Sequence, residues 1–190
     1  MMLGQVHHDA DRVTRLVTEL LDISRMDAGR LEVKRQVVDL PAMVRGQVER
    51  MVATGQPAER FRVALASPLP EVWADPDRLE QVLSNLVSNG LKYSGPDAPV
   101  DVRLTVTGET AVVDVVDAGR GIPADQLDRV FEKFHRVEDP LRMTTGGTGL
   151  GLFIARALTE AMGGTLSVRS LLGSGSTFTF TLPVEAPPAA

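Results

Sequence analysis

At the start of the chain apolar residues recur at three- and four-residue intervals: Val13, Leu16, Leu20 and Ile23, with Val17, Leu21 and Met26 widening the stripe. That spacing predicts one long amphipathic helix, stopped near Gly29. Charged residues, Asp11, Arg12, Arg15, Glu19, Asp22 and Arg25 among them, fill its other faces. The stripe suits a helix packed on its own domain or a strand of a helical bundle, and it covers too few heptads to choose. An extended stretch, Leu31 to Val38, precedes a helix over Leu40–Thr54 that carries Pro41 in its first turn and is broken by Gly55-Gln56-Pro57. Alternation predicts strands at 61–65 and 72–74. Asp75-Pro76-Asp77 then reads as a helix start, and Leu79, Val82, Leu83, Leu86 and Val87 give that helix a buried face as far as Tyr93. Strand-like runs follow at Val100–Val106 and Ala111–Val116, then a polar, turn-rich region from Asp117 to Thr148. A helix begins near Gly149 and ends at Met162-Gly163-Gly164, and Leu166–Ser170 pairs with Thr177–Leu182 as a closing hairpin. The order of elements is α+β: three helices and five or more strands after the first helix.

Composition narrows the chemistry. The 190 residues are 43% hydrophobic and 24% charged, ordinary for a soluble globular chain with one good core. The absence of cysteine removes disulfides and thiolate metal sites. No apolar run approaches the roughly 20 residues of a membrane span and there is no signal-peptide core, so the expected location is cytoplasmic. The formal net charge of −5 argues against nucleic-acid binding, which favours a basic excess. An anionic ligand would need local donors to hold it against that field. The segment 185–190 reads as a frayed tail.

Four clusters carry candidate chemistry. Asn85, Asn89 and Lys92 share one helix face, opposite an apolar stripe. Two amides and an ammonium suit a hydrated Mg²⁺ with attached phosphates, because magnesium takes hard oxygen ligands and keeps its waters; a solvated polar face is the plain alternative. Asp117-Ala118-Gly119-Arg120-Gly121-Ile122-Pro123 follows a strand. Its carboxylate can accept from an exocyclic amine such as that of adenine, and its glycines let backbone pass close to a flat ring, though a Gly-rich turn would look the same. Gly146-Gly147-Thr148-Gly149-Leu150-Gly151-Leu152 runs into a helix and would expose amide donors to phosphate oxygens. It is neither a dinucleotide fingerprint nor a P-loop, and a flexible linker would share its composition. Finally, Phe131-Glu132-Lys133-Phe134-His135-Arg136 places two aromatics in a polar loop, with Lys133 and Arg136 able to reach a terminal phosphate; a small helix anchored by two Phe is the alternative.

Taken in order, these clusters resemble the catalytic ATP-binding domain of bacterial sensor histidine kinases, within the ATPase superfamily shared with gyrase B, Hsp90 and MutL. The resemblance spans about Leu31 to Pro183, and Gly90 is its one mild departure, where Ala is commoner. It implies a two-layer α/β sandwich, a mixed sheet covered on one face by helices, beside the long N-terminal helix. It further implies ATP and Mg²⁺ as cofactors, with Asn89 as the main metal ligand and Asn85 helping. Lys92 would contact phosphate, Tyr93 would pack on base or sugar, and Asp117 would bond the adenine amine. Gly119, Gly121 and Ile122 would shape the pocket, and Phe134 would belong to it. Arg136 would be the lid arginine near the γ-phosphate, so that Asn85, Lys92 and Arg136 form the catalytic set. Gly147, Thr148, Gly149, Leu150 and Gly151 would line the phosphate end, and Thr177 would support the pocket. Residues 120–147 would form a mobile ATP lid.

The same resemblance makes residues 1–29 the remnant of the second helix of a dimerisation and phosphoacceptor domain, 30–184 the catalytic domain and 185–190 a disordered tail. The earlier helix, with its phosphoacceptor histidine, has no counterpart here: His7-His8-Asp9-Ala10 lacks the following Leu-Arg-x-Pro pattern. The expected activity is therefore ATP:protein-histidine phosphotransfer to a histidine upstream. The partners would be the parent's phosphoacceptor domain, a response regulator and a second copy through the N-terminal helix; the parent itself could be membrane-anchored. A Ser/Thr anti-sigma kinase of the same superfamily and a non-catalytic ATP sensor are the alternatives.

Overall fold

The computed structural model describes residues 2–66, 71–137 and 147–184, with backbone alone for 2–13 and 15. The expected tail at 185–190 and Gly146 lie outside the described residues. So do 138–146 of the expected lid and the side chains of His7 and His8.

The chain opens with α1 (Met2–Asp27), followed by β1 (Gln36–Val38), α2 (Leu40–Ala53), β2 (Phe61–Leu65), β3 (Val72–Ala74) and α3 (Pro76–Tyr93). After these come β4 (Val100–Thr107), β5 (Thr110–Asp117), α4 (Gly151–Ala161), β6 (Thr165–Leu171) and β7 (Gly175–Pro183). The main sheet has the order β2-β4-β5-β7-β6, with β2 parallel to β4 and every other pair antiparallel. A separate β1-β3 ribbon pairs Val37 with Trp73. Only Gln36–Val38 of the extended stretch finds a strand partner. The region after β5, read as turns, contains two short 3₁₀ segments, at Ala124–Gln126 and Arg129–Phe131.

Helix starts follow from their caps. Asp39 accepts from the Ala42 amide at 2.9 Å, and Asp75 accepts from Asp77 and Arg78. The second oxygen of Asp75 also takes the Lys34 amide at 2.8 Å, tying the linker after α1 to the head of α3. Losing such a cap costs about 1 kcal/mol. α3 then turns Leu79, Val82, Leu83, Leu86 and Val87 fully inward. They meet Val100, Val102 and Leu104 of β4, Val113 and Val115 of β5, and Phe178, Phe180 and Leu182 of β7, while Ile154 and Leu158 of α4 extend the helical layer. Helices therefore cover one face of a mixed sheet, an α+β two-layer sandwich. Leu86→Ala in that layer would cost about 2–5 kcal/mol. Gly90 sits where α3 crosses β4: a Cβ there would lie 3.1 and 3.2 Å from the Val100 methyls, which explains why glycine suits this position. Among the described residues no helix is long and apolar enough to cross a membrane.

α1 departs from its helical-wheel reading. Glu19 and Asp22, assigned to polar faces, are buried, whereas Val17, Leu20 and Leu21 of the apolar stripe are half exposed. The reason is pairing across the chain. Asp22 takes a salt bridge from Arg78 at 3.1 Å and a hydrogen bond from Gln81 at 2.9 Å, both on α3. Asp27 holds the Lys133 ammonium at 2.6 and 2.8 Å, and Glu19 accepts from the Thr148 hydroxyl at 2.9 Å.

Candidate functional site

Two cavities meet beneath the region between β5 and α4. The larger, about 360 Å³, is lined by Asn85, Asn89, Lys92 and Tyr93 of α3, by His135 and Arg136, and by Gly147, Thr148, Gly149 and Gly151. The smaller, about 70 Å³, is lined by Asp117, Arg120, Gly121, Ile122, Ser176 and Phe178. Asn89, Tyr93, Val130, His135, Arg136 and Leu152 belong to both, so the two form one bent cleft.

Spacing on α3 builds the larger end. Asn85, Asn89 and Lys92, four and three residues apart, project from the side opposite the buried stripe. The Asn85 amide donates to the Gly151 carbonyl at 3.1 Å, which fixes the side chain and frees its oxygen. Lys92 donates to the Tyr93 hydroxyl at 2.8 Å, and its ammonium lies 4.4 Å from the Tyr93 ring centre; Arg120 lies 5.1 Å from the same ring. Arg136 donates to the Gly147 carbonyl at 3.2 Å. Thr148 takes the Leu150 amide on its hydroxyl at 3.2 Å while donating to Glu19. Gly149 has φ +73° and would place a Cβ within 2.7–2.9 Å of the Phe134–His135 backbone. Only glycine fits there, and the left-handed residue sets the start of the helix just beyond it, at Gly151.

The smaller end is built by the close of β5. Asp117 is 6% exposed and accepts from the Gly119 amide at 2.9 Å and from both backbone and side chain of Ser176. Burial raises its pKa above the ordinary 3.8, and the bonds from Gly119 and Ser176 pull against that rise. Gly121, at φ +70°, lets the chain pass against the Leu171 carbonyl, where a Cβ would sit 2.1 Å away.

Several expected site residues lie elsewhere. Thr177 lines neither cavity: neighbours on a strand face opposite ways, and Ser176 and Phe178 hold the inner side. The supporting hydroxyl is that of Ser176. Phe134 is 64% exposed, on a backbone with φ +63°, and its ring does not line the cleft; Phe131 is the buried aromatic of the pair. Leu150 is buried in the core and lines neither cavity, while Gly119 acts from behind the pocket wall, its amide holding the Asp117 carboxylate. Lys133 is held by Asp27, 4.9 Å from the Phe153 ring, and is not placed toward the phosphate end. Conversely, Glu19, His135 and Ser176 line the cleft without having been singled out for it. A buried carboxylate among helix-surface charges gives no sequence signal, but the alternation Ser176-Thr177-Phe178 around a buried Phe could have chosen the hydroxyl.

Among the described residues no group of three or more His, Cys, Asp or Glu is placed to hold a metal. The oxygens of the Asn85 and Asn89 amides at the larger end are hard donors. They are too few for a protein cage, and they fit a magnesium ion that brings its own waters and phosphate oxygens.

Residues 74–186 match the family described as histidine kinase-, DNA gyrase B-, and HSP90-like ATPase. The chain is 34% identical over 191 residues to the sensor histidine kinase RppB of Synechocystis, covering 98% of this chain and 41% of that protein. It is 36% identical over 178 residues to the sensor histidine kinase ZraS of Escherichia coli, covering 93% and 36% respectively. The solved structure of full-length ShkA in complex with AMPPNP superposes with a TM-score of 0.77 at 32% identity, over 94% of this chain and 38% of that one. The chain thus spans well under half the length of these relatives. With a buried carboxylate closing β5, an amide-bearing helix face and a glycine loop around one cleft, it belongs to the histidine kinase-, DNA gyrase B-, and HSP90-like ATPase family.

Proposed function

We propose that this chain binds Mg-ATP in the bent cleft and transfers the γ-phosphoryl group to a histidine on a phosphoacceptor helix that precedes these residues in the parent protein. The observation that carries the reading is the continuity of the two cavities: an acceptor for an amine at one end, and amides, two cations and a glycine loop at the other. Asp117 would accept the adenine amine, and Tyr93 would pack on base or sugar. Lys92 and Arg136 would neutralise phosphate charge, and the amides of Gly147, Thr148, Gly149 and Gly151 would donate to its oxygens. Asn89, with Asn85 oriented by Gly151, would hold magnesium, which when bound spreads the charge of the phosphates. In the transfer the bond from γ-phosphorus to the bridging oxygen breaks, a phosphorus–nitrogen bond forms and ADP leaves. The proton on the acceptor nitrogen passes to a base beside that histidine, in the acceptor domain. Such catalysis is mostly positioning and charge neutralisation.

The domain assignment belongs to the same proposal: α1 as the second helix of a dimerisation and phosphoacceptor domain, the rest as the catalytic domain, and residues 120–147 as a lid. The half-exposed Val17, Leu20 and Leu21 on α1 support a bundle partner on that side, the first helix or a second copy. A response regulator would receive the phosphoryl group in turn, and the activity belongs where ATP is supplied, in the cytoplasm, whether or not the parent is anchored in a membrane. A pure nucleotide sensor is the second reading, favoured by the grip of Glu19 and Asp27 on Thr148 and Lys133.

One experiment separates them. The chain is incubated with γ-labelled ATP, alone and with a separately prepared phosphoacceptor domain, and the product is tested with acid. The expected result is acid-labile label on the added domain and none on this chain. An acid-stable product would indicate a hydroxyl kinase, and absence of any label with intact ATP binding would indicate a sensor. Label mapped to His7, His8 or His135 of the isolated chain would refute the upstream acceptor.

A further inference from the structure

We infer that His135 is the sugar-recognition residue of the cleft, its Nε2 pairing with a ribose hydroxyl of the bound nucleotide. The inference rests on the nucleotide-binding reading above and adds a residue to it. His135 Nε2 is shielded from solvent and has no hydrogen-bond partner, one of only two such side-chain atoms among the described residues. A shielded polar nitrogen left unpaired is costly, and each one calls for an explanation, of which a partner supplied by a bound ligand is one.

The local backbone explains how the imidazole arrives there. Phe134 has φ +63°, which a bulky side chain rarely adopts. It is held in that state by its amide, which donates to the Gly149 carbonyl at 3.0 Å, and by the close approach of Gly149 to both Phe134 and His135. The turn sends the Phe134 ring out to solvent and brings the next side chain, His135, into the cleft. Strain of this kind persists where surrounding structure enforces it and is commonest at functional sites.

Position selects the ligand group. His135 lines both cavities, at the bend between the Asp117 end and the Lys92 end. A nucleotide whose base lies at one end and whose terminal phosphates lie at the other must carry its sugar through that bend. Of the other polar groups at the bend, Asn89 is assigned above to magnesium and Arg136 to phosphate, and the Tyr93 hydroxyl already accepts from Lys92, while Val130 and Leu152 are apolar. A neutral imidazole offers Nε2 as donor or acceptor according to tautomer, and a sugar hydroxyl answers either, which a phosphate oxygen cannot.

The test is calorimetric titration of the whole chain with ATP, 2′-deoxy-ATP and 3′-deoxy-ATP, for the natural protein and for His135→Phe and His135→Gln. In the natural protein, removal of one of the two hydroxyls is expected to weaken binding about fivefold to tenfold, the worth of one neutral hydrogen bond. His135→Phe, which keeps a flat ring, should lose a similar factor for ATP and no longer distinguish that deoxynucleotide from ATP. His135→Gln, which can still donate and accept, should restore part of the discrimination and serves alone should the Phe variant not fold. If both deoxynucleotides bind as tightly as ATP, or if their penalty is the same in the natural protein and the variants, His135 does not read the sugar. A uniform loss for all three nucleotides in the variants would place its contact on phosphate or packing and overturn the inference while leaving ATP binding intact. Failure of the natural protein to bind ATP would instead overturn both.

Discussion

Replacing Asp117 by Asn tests the base end of the cleft with the least change of shape. The carboxylate is 6% exposed and is held by the Gly119 amide and by Ser176 through backbone and hydroxyl. Those donors fix its orientation before any ligand arrives. An amide in its place can still accept from Gly119 through its oxygen, but its nitrogen then opposes the adenine amine donor to donor. A hydrogen bond to a charged acceptor is worth about 1.5–3 kcal/mol, so D117N should bind ATP roughly tenfold to a hundredfold more weakly. Inosine triphosphate, with a carbonyl in place of the amine, should bind D117N no worse than it binds the natural protein, and the preference between the two nucleotides should narrow or invert. Stability should move little, by about 1 kcal/mol or less, because the lost charge-assisted bonds are offset by release from burying a charge. The pH dependence has a definite sign. With its pKa raised by burial above 3.8, folded Asp117 keeps its proton at a pH where the unfolded chain has already released it. The ionised group thus weighs against folding at neutral pH, and that burden lifts as pH falls through the folded value toward 3.8. The natural protein should gain stability relative to D117N over that window. Over the same window it should lose its ATP advantage, as protonation removes the acceptor's charge. Calorimetry with both nucleotides from neutral pH to about pH 4.5 measures this, the D117N titration serving as the reference that removes the nucleotide's own protonation. Equal ATP affinity of the two proteins at neutral pH would refute the adenine assignment.

At the other end, Asn89→Ala should weaken binding of Mg-ATP about tenfold or more and leave binding in excess chelator nearly unchanged; an equal loss with and without magnesium, read by calorimetry, would remove Asn89 as a ligand. Glu19→Gln should tighten ATP binding several-fold, because the buried carboxylate lines the phosphate end and a like-charge pair about 7 Å apart at an effective dielectric of about 20 costs about 2 kcal/mol before screening. The gain should shrink in 0.5 M salt (an order-of-magnitude choice, about a 4 Å screening length), and unchanged or weaker binding at low salt would show that Glu19 does not oppose the nucleotide. Ser176→Ala should weaken ATP binding more than Thr177→Ala, since only Ser176 bonds Asp117; equal losses in a fluorescent-nucleotide displacement assay would contradict the inward placement of Ser176.

The elements most fully legible in the chain were those whose pattern and punctuation agree. α3 carries an Asp cap, a Pro in its first turn and a 3–4 stripe, and it runs from Pro76 to Tyr93 as those marks require. The β4–β5 and β6–β7 hairpins follow from alternation interrupted by turn residues, and Asp117 falls at a strand end because the alternating run stops there. What failed is of a different kind. Thr177, expected to support the pocket, faces away from it because the large Phe178 and Phe180 decide which face of the strand reaches the core. The role of Gly149 is likewise invisible in the pattern: it is used for its left-handed backbone, against Phe134, and α4 starts just after it.

On α1 the pattern marks the helix but not its faces. A helical wheel assigns carboxylates to solvent because unpaired burial is expensive. Glu19 and Asp22 escape that cost through partners 129 and 56 residues away, which no local pattern encodes. Val17, Leu20 and Leu21, exposed once those carboxylates face inward, are the matching half of the same fact. A helix whose acidic side is paired within the chain and whose apolar side is open is arranged for two contacts at once. The acidic side touches the head of α3, Lys133 and Thr148, and of these Thr148 lines the nucleotide cleft. Any movement of α1 must therefore change the groups that frame the cleft, and a nucleotide that claims Thr148 must loosen α1. Because coupling between equilibria is reciprocal, a nucleotide that takes the Thr148 hydroxyl from Glu19 loosens α1 by as much free energy as a firmly packed α1 withholds from the nucleotide.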